Sequence, residues 1–268
     1  MSSIYETLRD RIRRDEPVGL VTVIEGPNIG AKLLIIPGAP PTGSLGDSEL
    51  DRIVGRDALA ELEAATTGVR HYGPHGQTTP EDLIDTDTVS VFVESFSPPP
   101  QMWIFGAVDF TAALAKVAKV LGYRVTVCDA REVFATRRRF PMADEVLVSW
   151  PGPVFGARGS ELGPRDAVCV LTHDSKFDVP AVMGAIATRV GYIGVMGSRK
   201  THDKRMQRLA EAGLTEPHQI DRLMSPVGLD IGARTPEETA ISICAEIIAR
   251  RTGRITPSLR DGSGAIHS

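Results

Sequence analysis

The chain has 268 residues, of which 42% are hydrophobic and 24% charged, and its net charge at pH 7 is −4. That length is enough for one large domain or two modest ones, each with a buried core. A mildly acidic chain of this composition suits neither nucleic acid nor an anionic membrane surface, so we expect neither as a partner.

The first part of the chain predicts a small α+β domain. Ile4, Leu8 and Ile12 recur every four residues among charged ones, which indicates an amphipathic helix that ends before Pro17. The elements expected after it are paired strands over 18–26 and 31–38, a helix over 47–65 and a strand over 87–96.

Residues 97–100, Ser-Pro-Pro-Pro, form a stiff polyproline connection at which we place the domain boundary. We expect an α+β domain over 1–97, a Rossmann domain over 98–252 and a flexible tail over 253–268. The charged N-terminus does not look like a signal peptide, and no apolar run approaches the roughly 20 residues of a membrane helix. The expected location is the cytoplasm.

After the boundary, strands and helices alternate. Strands are predicted over 102–107, 123–131, 144–150, 166–174 and 191–198, and helices over 109–122, 178–190, 200–213 and from the capping box at Thr235 and Glu238. These strands are continuously apolar, as in a parallel sheet that is covered on both faces. The predicted fold class is therefore α/β, with a doubly wound Rossmann-like sheet whose sites lie at the carboxyl ends of the strands.

The three cysteines, Cys128, Cys169 and Cys244, are far apart and lie in apolar segments. We expect buried, reduced thiols. Because no His or Cys residues have the spacing of metal ligands, we predict no metal site.

The first candidate site lies where the first Rossmann strand meets its helix. Gly106 permits a tight turn, and Asp129 ends the next strand at about the spacing of an acidic residue that binds a ribose. Val108, however, stands where the second glycine of the dinucleotide fingerprint belongs. The alternative is a scaffold in which Asp109 caps the helix and Asp129 only terminates its strand.

Two further candidates follow later strands. His173 and Asp174 come directly after a buried strand, where a histidine could transfer protons or hold a polar ligand, or could simply be a turn residue. Gly197 and Ser198 precede a helix start that carries the cations Arg199, Lys200 and Lys204. Cations oppose the helix dipole there unless an anion is bound, so this segment predicts a phosphate site; the alternative is a solvated basic helix face.

A fourth candidate is the segment 228–234, in which Asp230 and Arg234 lie among glycines just before the last helix. Taken alone it favours a structural turn over a wall of the site. None of these arguments identifies a ligand.

The segments 192–214 and 226–251 resemble the C-terminal Rossmann domain of the XdhC/CoxI family, and 91–131 resembles that family's junction between its two domains. The family binds molybdenum cofactor, assists its sulfuration with a cysteine desulfurase-type sulfur donor, and delivers it to the apoenzyme of a molybdenum hydroxylase. The resemblance implies a maturation factor for an enzyme of the xanthine or carbon monoxide dehydrogenase type. The positions it marks as cofactor-binding are Gly106, Asp129, His173, Asp174, Gly197, Ser198, Arg199, Asp230 and Arg234.

The chain departs from the family pattern at two places. The family usually has Gly-Ala-Gly-His-Val where this chain has 106–110, Gly-Ala-Val-Asp-Phe. Its cysteine motifs are also missing at 43–49 and near 72–74. A step that depends on those thiols is not available here, so the chain resembles a diverged member of the family.

Our hypothesis is a cytoplasmic homodimer that holds molybdenum cofactor in a crevice between the Rossmann strand ends and the small domain. Arg199 and Lys200 would bind phosphate, while Asp129, His173 and Asp174 would contact the ring or ribose end. We assign no catalytic residue. The alternatives are an NAD(P)-dependent oxidoreductase, against which Val108 argues, and a scaffold that binds only a protein.

Overall fold

The computed structural model describes residues 3–78, 88–172 and 174–253, together with Ser258 and Arg260. The chain divides into two compact units, Met1–Pro98 and Pro99–Ser268. No helix among the described residues is long and apolar enough to cross a membrane.

The first unit is a five-stranded antiparallel sheet with a helix on each face. Its elements are α1 (Ile4–Arg13), β1 (Val18–Glu25), β2 (Lys32–Ile35), β3 (Thr42–Ser44), α2 (Ser48–Ala64), β4 (Gly68–Tyr72) and β5 (Val89–Phe96), with strand order β3-β2-β1-β5-β4. Leu50 and Val54 of α2 pack on one face, and Ile4 and Leu8 of α1 pack on the other. The predicted pairing of the first two strands is confirmed.

The second unit alternates strands and helices along the chain. Its elements are β6 (Gln101–Phe105), α3 (Asp109–Val120), β7 (Arg124–Asp129), β8 (Glu145–Val148), α4 (Pro151–Arg158), a short 3-10 helix (Gly159–Glu161), β9 (Ala167–Val170), α5 (Ser175–Ile186), β10 (Tyr192–Val195), α6 (Arg199–Glu211), α7 (Pro217–Ile220), β11 (Leu223–Met224) and α8 (Pro236–Arg251).

The sheet of this unit has the strand order β11-β10-β9-β6-β7-β8, and all of its pairs are parallel. This is the order of a Rossmann sheet, which reverses between β6 and β9. The predicted α/β fold class, with a doubly wound parallel sheet, is confirmed.

Both faces of the parallel sheet are buried, which explains the continuously apolar strands. Ile104 and Cys169 pack on the face covered by α3 and α8, whereas Phe105 and Val170 pack on the opposite face. Cys128, Cys169 and Cys244 are all buried and free, as the sequence predicts.

The sequence did not predict α4, which is rich in glycine and proline. Tertiary packing holds this helix, since the Phe155 ring stacks on Phe105 with a centroid distance of 5.1 Å. On α5, a side chain at Gly184 would lie 2.2 Å from the Phe155 ring, so the two helices approach closely there. Helix propensity alone does not contain this information.

Candidate functional site

A pocket of about 260 Å³ opens beside the carboxyl ends of β10 and β11. Its walls are mainly apolar and come from four segments of the chain. The lining residues are Phe110 of α3; Met196, Gly197 and Ser198 after β10; Pro226, Val227 and residues 229–233 after β11; and Thr239 and Ser242 of α8. The pocket therefore brings together three of the predicted residues, Gly197, Ser198 and Asp230.

The turn between β10 and α6 forms one edge of this pocket. Gly197 has a φ of +152°, and a side chain there would lie 3.2 Å from Thr201. Ser198 caps α6, because its hydroxyl accepts a hydrogen bond from the Thr201 N–H at 3.2 Å. The first turn of α6 contains no acidic residue and begins with Arg199 and Lys200. It therefore presents the positive end of the helix dipole beside the pocket.

Arg199 and Lys200 do not line the pocket, although they directly follow Ser198, which does. Lys200 is exposed and Arg199 is half-buried. Their predicted contact with a phosphate stays a prediction.

Arg205, one turn further along α6, points inward and is buried, as is Asp178 of α5. Its Nη2 donates to the Met196 carbonyl oxygen at 2.8 Å and to Asp178 Oδ2 at 3.2 Å, while its Nη1 lies 3.4 Å from Ser225 Oγ. Burial raises the pKa of Asp178 to about 6, although the charge and hydrogen bond of Arg205 lower it. The pair of Arg205 and Asp178 is therefore buried behind the turn and is not exposed to a ligand at the surface.

Helix α8 fastens the loop that forms the opposite wall. The Gly228 N–H donates to Glu246 Oε2 at 2.9 Å, and Tyr192 OH donates to the same oxygen at 2.6 Å. Ser242 Oγ donates to the Leu229 carbonyl oxygen at 2.6 Å. Gly228 has a φ of +101°, and a side chain there would lie 2.4 Å from Ser242 Oγ. The backbone of this wall is thus fixed from behind.

The fourth predicted segment divides between two roles. Asp230 is exposed and lines the pocket. Arg234 does not line it, and its N–H donates to the Glu238 carboxylate at 2.7 Å, next to the capping box of Thr235 and Glu238. The segment is both a wall and a helix start.

The turn after β6 is closed by the protein's own groups. Gly106 has a φ of +113°, and a side chain there would lie 3.1 Å from the Thr172 nitrogen. Asp129 is buried and accepts from the Ala107 N–H at 2.7 Å and from the Arg131 guanidinium at 2.9 and 2.8 Å. Its carboxylate therefore braces the turn, and a contact with a ribose stays a prediction.

The pKa of Asp129 reflects this bracing. Burial alone raises the pKa of its carboxyl, but the hydrogen bonds from Arg131 and Ala107 outweigh burial and hold it below its usual range. The group is therefore a carboxylate at neutral pH.

Asp109 does not cap α3, so that part of the scaffold interpretation is wrong. The N-cap is Val108, whose side chain makes no capping hydrogen bond, and Asp109 is the first helical residue with its side chain 91% exposed. The Arg139 guanidinium donates to the Ala107 carbonyl oxygen at 2.9 Å, and the Thr111 hydroxyl donates to that of Gly106. These two side chains hold the carbonyl oxygens of the turn.

After β9, Asp174 caps α5 and accepts from the Lys176 N–H at 3.0 Å. It does not line the pocket. His173, the other candidate of this segment, lies outside the described residues. Among the described residues, no three His, Cys, Asp or Glu side chains are grouped as a metal site requires.

Sequence reasoning missed part of the pocket walls. Phe110, Met196, Val227, Thr239 and Ser242 line the pocket but belong to no polar motif. Their positions along the chain could have indicated these residues. Phe110 follows the β6 turn and Val227 follows β11, and both therefore lie at the carboxyl ends of the strands, where Rossmann ligands bind.

Residues 102–247 match a protein family described as the XdhC Rossmann domain. A Bacillus subtilis (strain 168) protein, described as a probable subunit of xanthine dehydrogenase, is 34% identical over 164 residues, which are 61% of this chain and 47% of that protein. The molybdenum cofactor insertion chaperone PaoD of Escherichia coli (strain K12) is 26% identical over 160 residues, which are 60% of this chain and 43% of PaoD.

A crystal structure described as a xanthine dehydrogenase from Bacillus halodurans has the same fold. It covers 95% of this chain and 97% of its own with a TM-score of 0.51, at 22% identity. The chain itself matches less than half the length of the two curated relatives.

Proposed function

The match over 102–247 means that this chain belongs to the XdhC Rossmann domain family, and from that premise we propose that it binds molybdenum cofactor. Its role would be to support insertion of the cofactor into a molybdenum hydroxylase of the xanthine dehydrogenase type. The name of PaoD, a molybdenum cofactor insertion chaperone, supports this role by similarity.

The pocket beside β10 and β11 is the observation that carries the proposal. Its apolar walls, which include Phe110, Met196 and Val227, suit the ring system of a pterin. Ser198 and the start of α6 lie at its edge, where a helix N-terminus and two cations suit the terminal phosphate of the same ligand. An apolar pocket beside a cationic helix start therefore supports the proposal.

The competing function, an NAD(P)-dependent oxidoreductase, has less support. A dinucleotide in the usual Rossmann pose needs its pyrophosphate at the β6 turn and an acidic group on its ribose. Val108 replaces the glycine at that turn, and the Asp129 carboxylate is already held by Ala107 and Arg131. We therefore propose a maturation factor and derive no catalytic step.

Sulfuration of the cofactor, if this chain takes part in it, would use a thiol of its partner. Burial raises the pKa of Cys128 and of Cys244 to about 12 and that of Cys169 well above its usual value. A sulfur carrier needs an accessible thiolate, which these three buried thiols do not supply. We therefore propose that a cysteine desulfurase-type partner donates the sulfur. This chain, which we propose to be a homodimer, would hold the cofactor.

Binding of isolated molybdenum cofactor to the purified protein tests the proposal. Changing Arg199 and Lys200 together to alanine should raise the dissociation constant at least about tenfold, since two charge-assisted contacts are lost. The matched control is Arg250→Ala with Arg251→Ala, which removes the same charge from exposed positions in the last turn of α8. The control should bind within about twofold of wild type.

Absence of cofactor binding by the wild-type protein would contradict the proposal, and so would equal losses in the two double variants. A thermal titration with NADH and NADPH decides the alternative. Either ligand at 100 times its dissociation constant would stabilise the protein by about 2.7 kcal/mol if it bound. We expect no such shift.

A further inference from the structure

The buried guanidinium of Arg205 connects the segments that form the pocket edge. It binds the carbonyl oxygen of Met196, which follows β10 and lines the pocket, and it lies 3.4 Å from the hydroxyl of Ser225, which follows β11 and precedes the lining residue Pro226. The Arg205 guanidinium also donates a hydrogen bond to Asp178 of α5 at 3.2 Å. One side chain thus joins three elements.

The turn at Gly197 is shaped around this side chain. A Cβ atom at Gly197 would lie 3.5 Å from Arg205 Nη1, so the backbone of the turn passes close to the guanidinium. Arg205 and Asp178 are each only 3% exposed, which removes the competition of water for these hydrogen bonds. The guanidinium serves these acceptors from two separate nitrogens, Nη1 and Nη2, whereas a lysine has a single nitrogen at the end of its side chain.

We propose that Arg205, held by Asp178, is a positioning residue for the pocket. It fixes the turn at 196–198 relative to the loop that begins at Ser225, so that Ser198 and the first turn of α6 face the ligand. The identity of the ligand rests on the proposed function, whereas the positioning of the two segments does not.

Arg205→Lys tests this proposal, with Arg222→Lys as a matched control. Arg222 also joins separated groups, since it donates to the carbonyl oxygens of Ile186, Thr188 and Val190 at 2.7, 3.0 and 2.9 Å. It directly precedes β11 and thus lies at the amino end of this strand, whereas the pocket lies beyond its carboxyl end. Both variants remove guanidinium hydrogen bonds to carbonyl oxygens, but they loosen different ends of the strands.

The first readout is amide hydrogen exchange in the protein without ligand. Arg205→Lys should accelerate exchange about tenfold or more in 196–201 and 225–229, whereas Arg222→Lys should leave those segments at the wild-type rate. The second readout is the dissociation constant for molybdenum cofactor, which should rise about tenfold in Arg205→Lys and stay within about twofold in Arg222→Lys.

Wild-type exchange at 196–201 and 225–229 in Arg205→Lys would overturn the proposal, and so would equal acceleration in both variants. Should the wild-type protein not bind the cofactor, the proposed function falls while the exchange readout still decides the positioning role. If Arg205→Lys does not fold, Asp178→Asn replaces it. That variant keeps an oxygen acceptor but loses the charge, so we expect a smaller acceleration of hydrogen exchange in the same segments. If exchange in these segments is not accelerated at all, the proposal is refuted.

Discussion

The second unit contains two junctions of the same construction with opposite surroundings. At β6–α3 and at β10–α6, a parallel strand ends in a glycine of positive φ, 113° at Gly106 and 152° at Gly197, and a helix follows. At the first junction Asp129, Arg139 and Thr111 bind the backbone of the turn. At the second, the turn lines a pocket and the helix begins with cations.

A glycine of positive φ after a strand therefore indicates the geometry of the backbone and does not by itself indicate a bound ligand. Each glycine is required by a close neighbour, Thr172 in one case and Thr201 in the other. The junctions differ in their surroundings: at the first, the Asp129 carboxylate accepts from the Ala107 N–H of the turn, whereas the second lines a pocket and precedes two cations. Cofactor binding at either junction stays a prediction, and the pocket favours the second.

The largest expected effect concerns the brace of the first junction. Asp129→Ala leaves the Ala107 N–H and the Arg131 guanidinium without their acceptor, and we expect a loss of about 2–3 kcal/mol in the free energy of unfolding. Urea denaturation measures it. The control is Asp174→Ala, which removes only an exposed helix cap and should cost about 1 kcal/mol. Equal losses would mean that Asp129 does not brace the turn.

Acid should affect the carboxylates behind the two junctions in opposite directions. The folded pKa of Asp178 is about 6, above its ordinary value of 3.8, so its contribution to stability is present below the ordinary pKa and is lost as pH rises through 6. Asp129 has a lowered pKa, so its contribution is present above pH 3.8 and is lost as pH falls through the folded value.

Asp178→Asn isolates the first of these contributions. Between pH 7 and pH 4 the stability of wild type should rise relative to Asp178→Asn, by on the order of 2 kcal/mol, because only wild type takes up the proton. The charged neighbours Arg205 and Asp174 are present in both proteins, so the comparison isolates the Asp178 carboxyl. Urea unfolding at several pH values measures this difference in stability. A difference that stays constant between pH 7 and pH 4, or that changes in the opposite direction, would refute the raised pKa of the buried Asp178 carboxyl.

A smaller effect separates the caps of the two helices. Ser198→Ala removes the hydrogen bond to Thr201 and should cost about 1 kcal/mol. Asp109→Ala removes no cap and only an exposed pair with Arg139 at 3.4 Å, so it should cost less than about 0.5 kcal/mol. Thermal unfolding measures both variants. A larger loss of stability in Asp109→Ala than in Ser198→Ala would contradict this prediction.

The smallest effect is expected for Val108→Gly, which restores the missing fingerprint glycine. Glycine is the better N-cap, but the variant loses the partly buried packing of Val108, so stability should change by less than about 1 kcal/mol. Calorimetric titration should detect no NAD binding, because Asp129 and Arg139 still occupy the turn. A large gain in NAD affinity would show that the first junction is a ligand site blocked only by the valine.

The sequence predicted the Rossmann sheet because its strands are long apolar runs between recognisable helices. It did not predict β11, which has two residues and no periodicity, or α4, whose glycines and prolines oppose a helix outside its tertiary packing. Gly197 and Ser198 lie at the end of a predicted strand and line the pocket, whereas Asp230, for which the sequence alone favoured a structural turn, lines the same pocket after the unpredicted β11.

The inward direction of Arg205 was harder to predict, because a cation near a helix start suggests an exposed anion site. A signal was nevertheless present. Arg205 lies four residues before Leu209 and therefore shares its helix face, and these two are the buried residues of α6. Helical position, more than residue type, distinguishes a surface cation from a buried one.

The fastening of the pocket wall by α8 has a consequence for engineering. Glu246 and Ser242 bind the backbone of the loop at Gly228 and Leu229, and the Ile231 N–H donates to the Leu229 carbonyl oxygen at 3.0 Å. The side chains of Leu229 and Ile231 take no part in that fastening. A combinatorial library at these two positions would therefore reshape the cavity on a constant frame, which makes the wall a starting point for selecting variants with altered ligand preference.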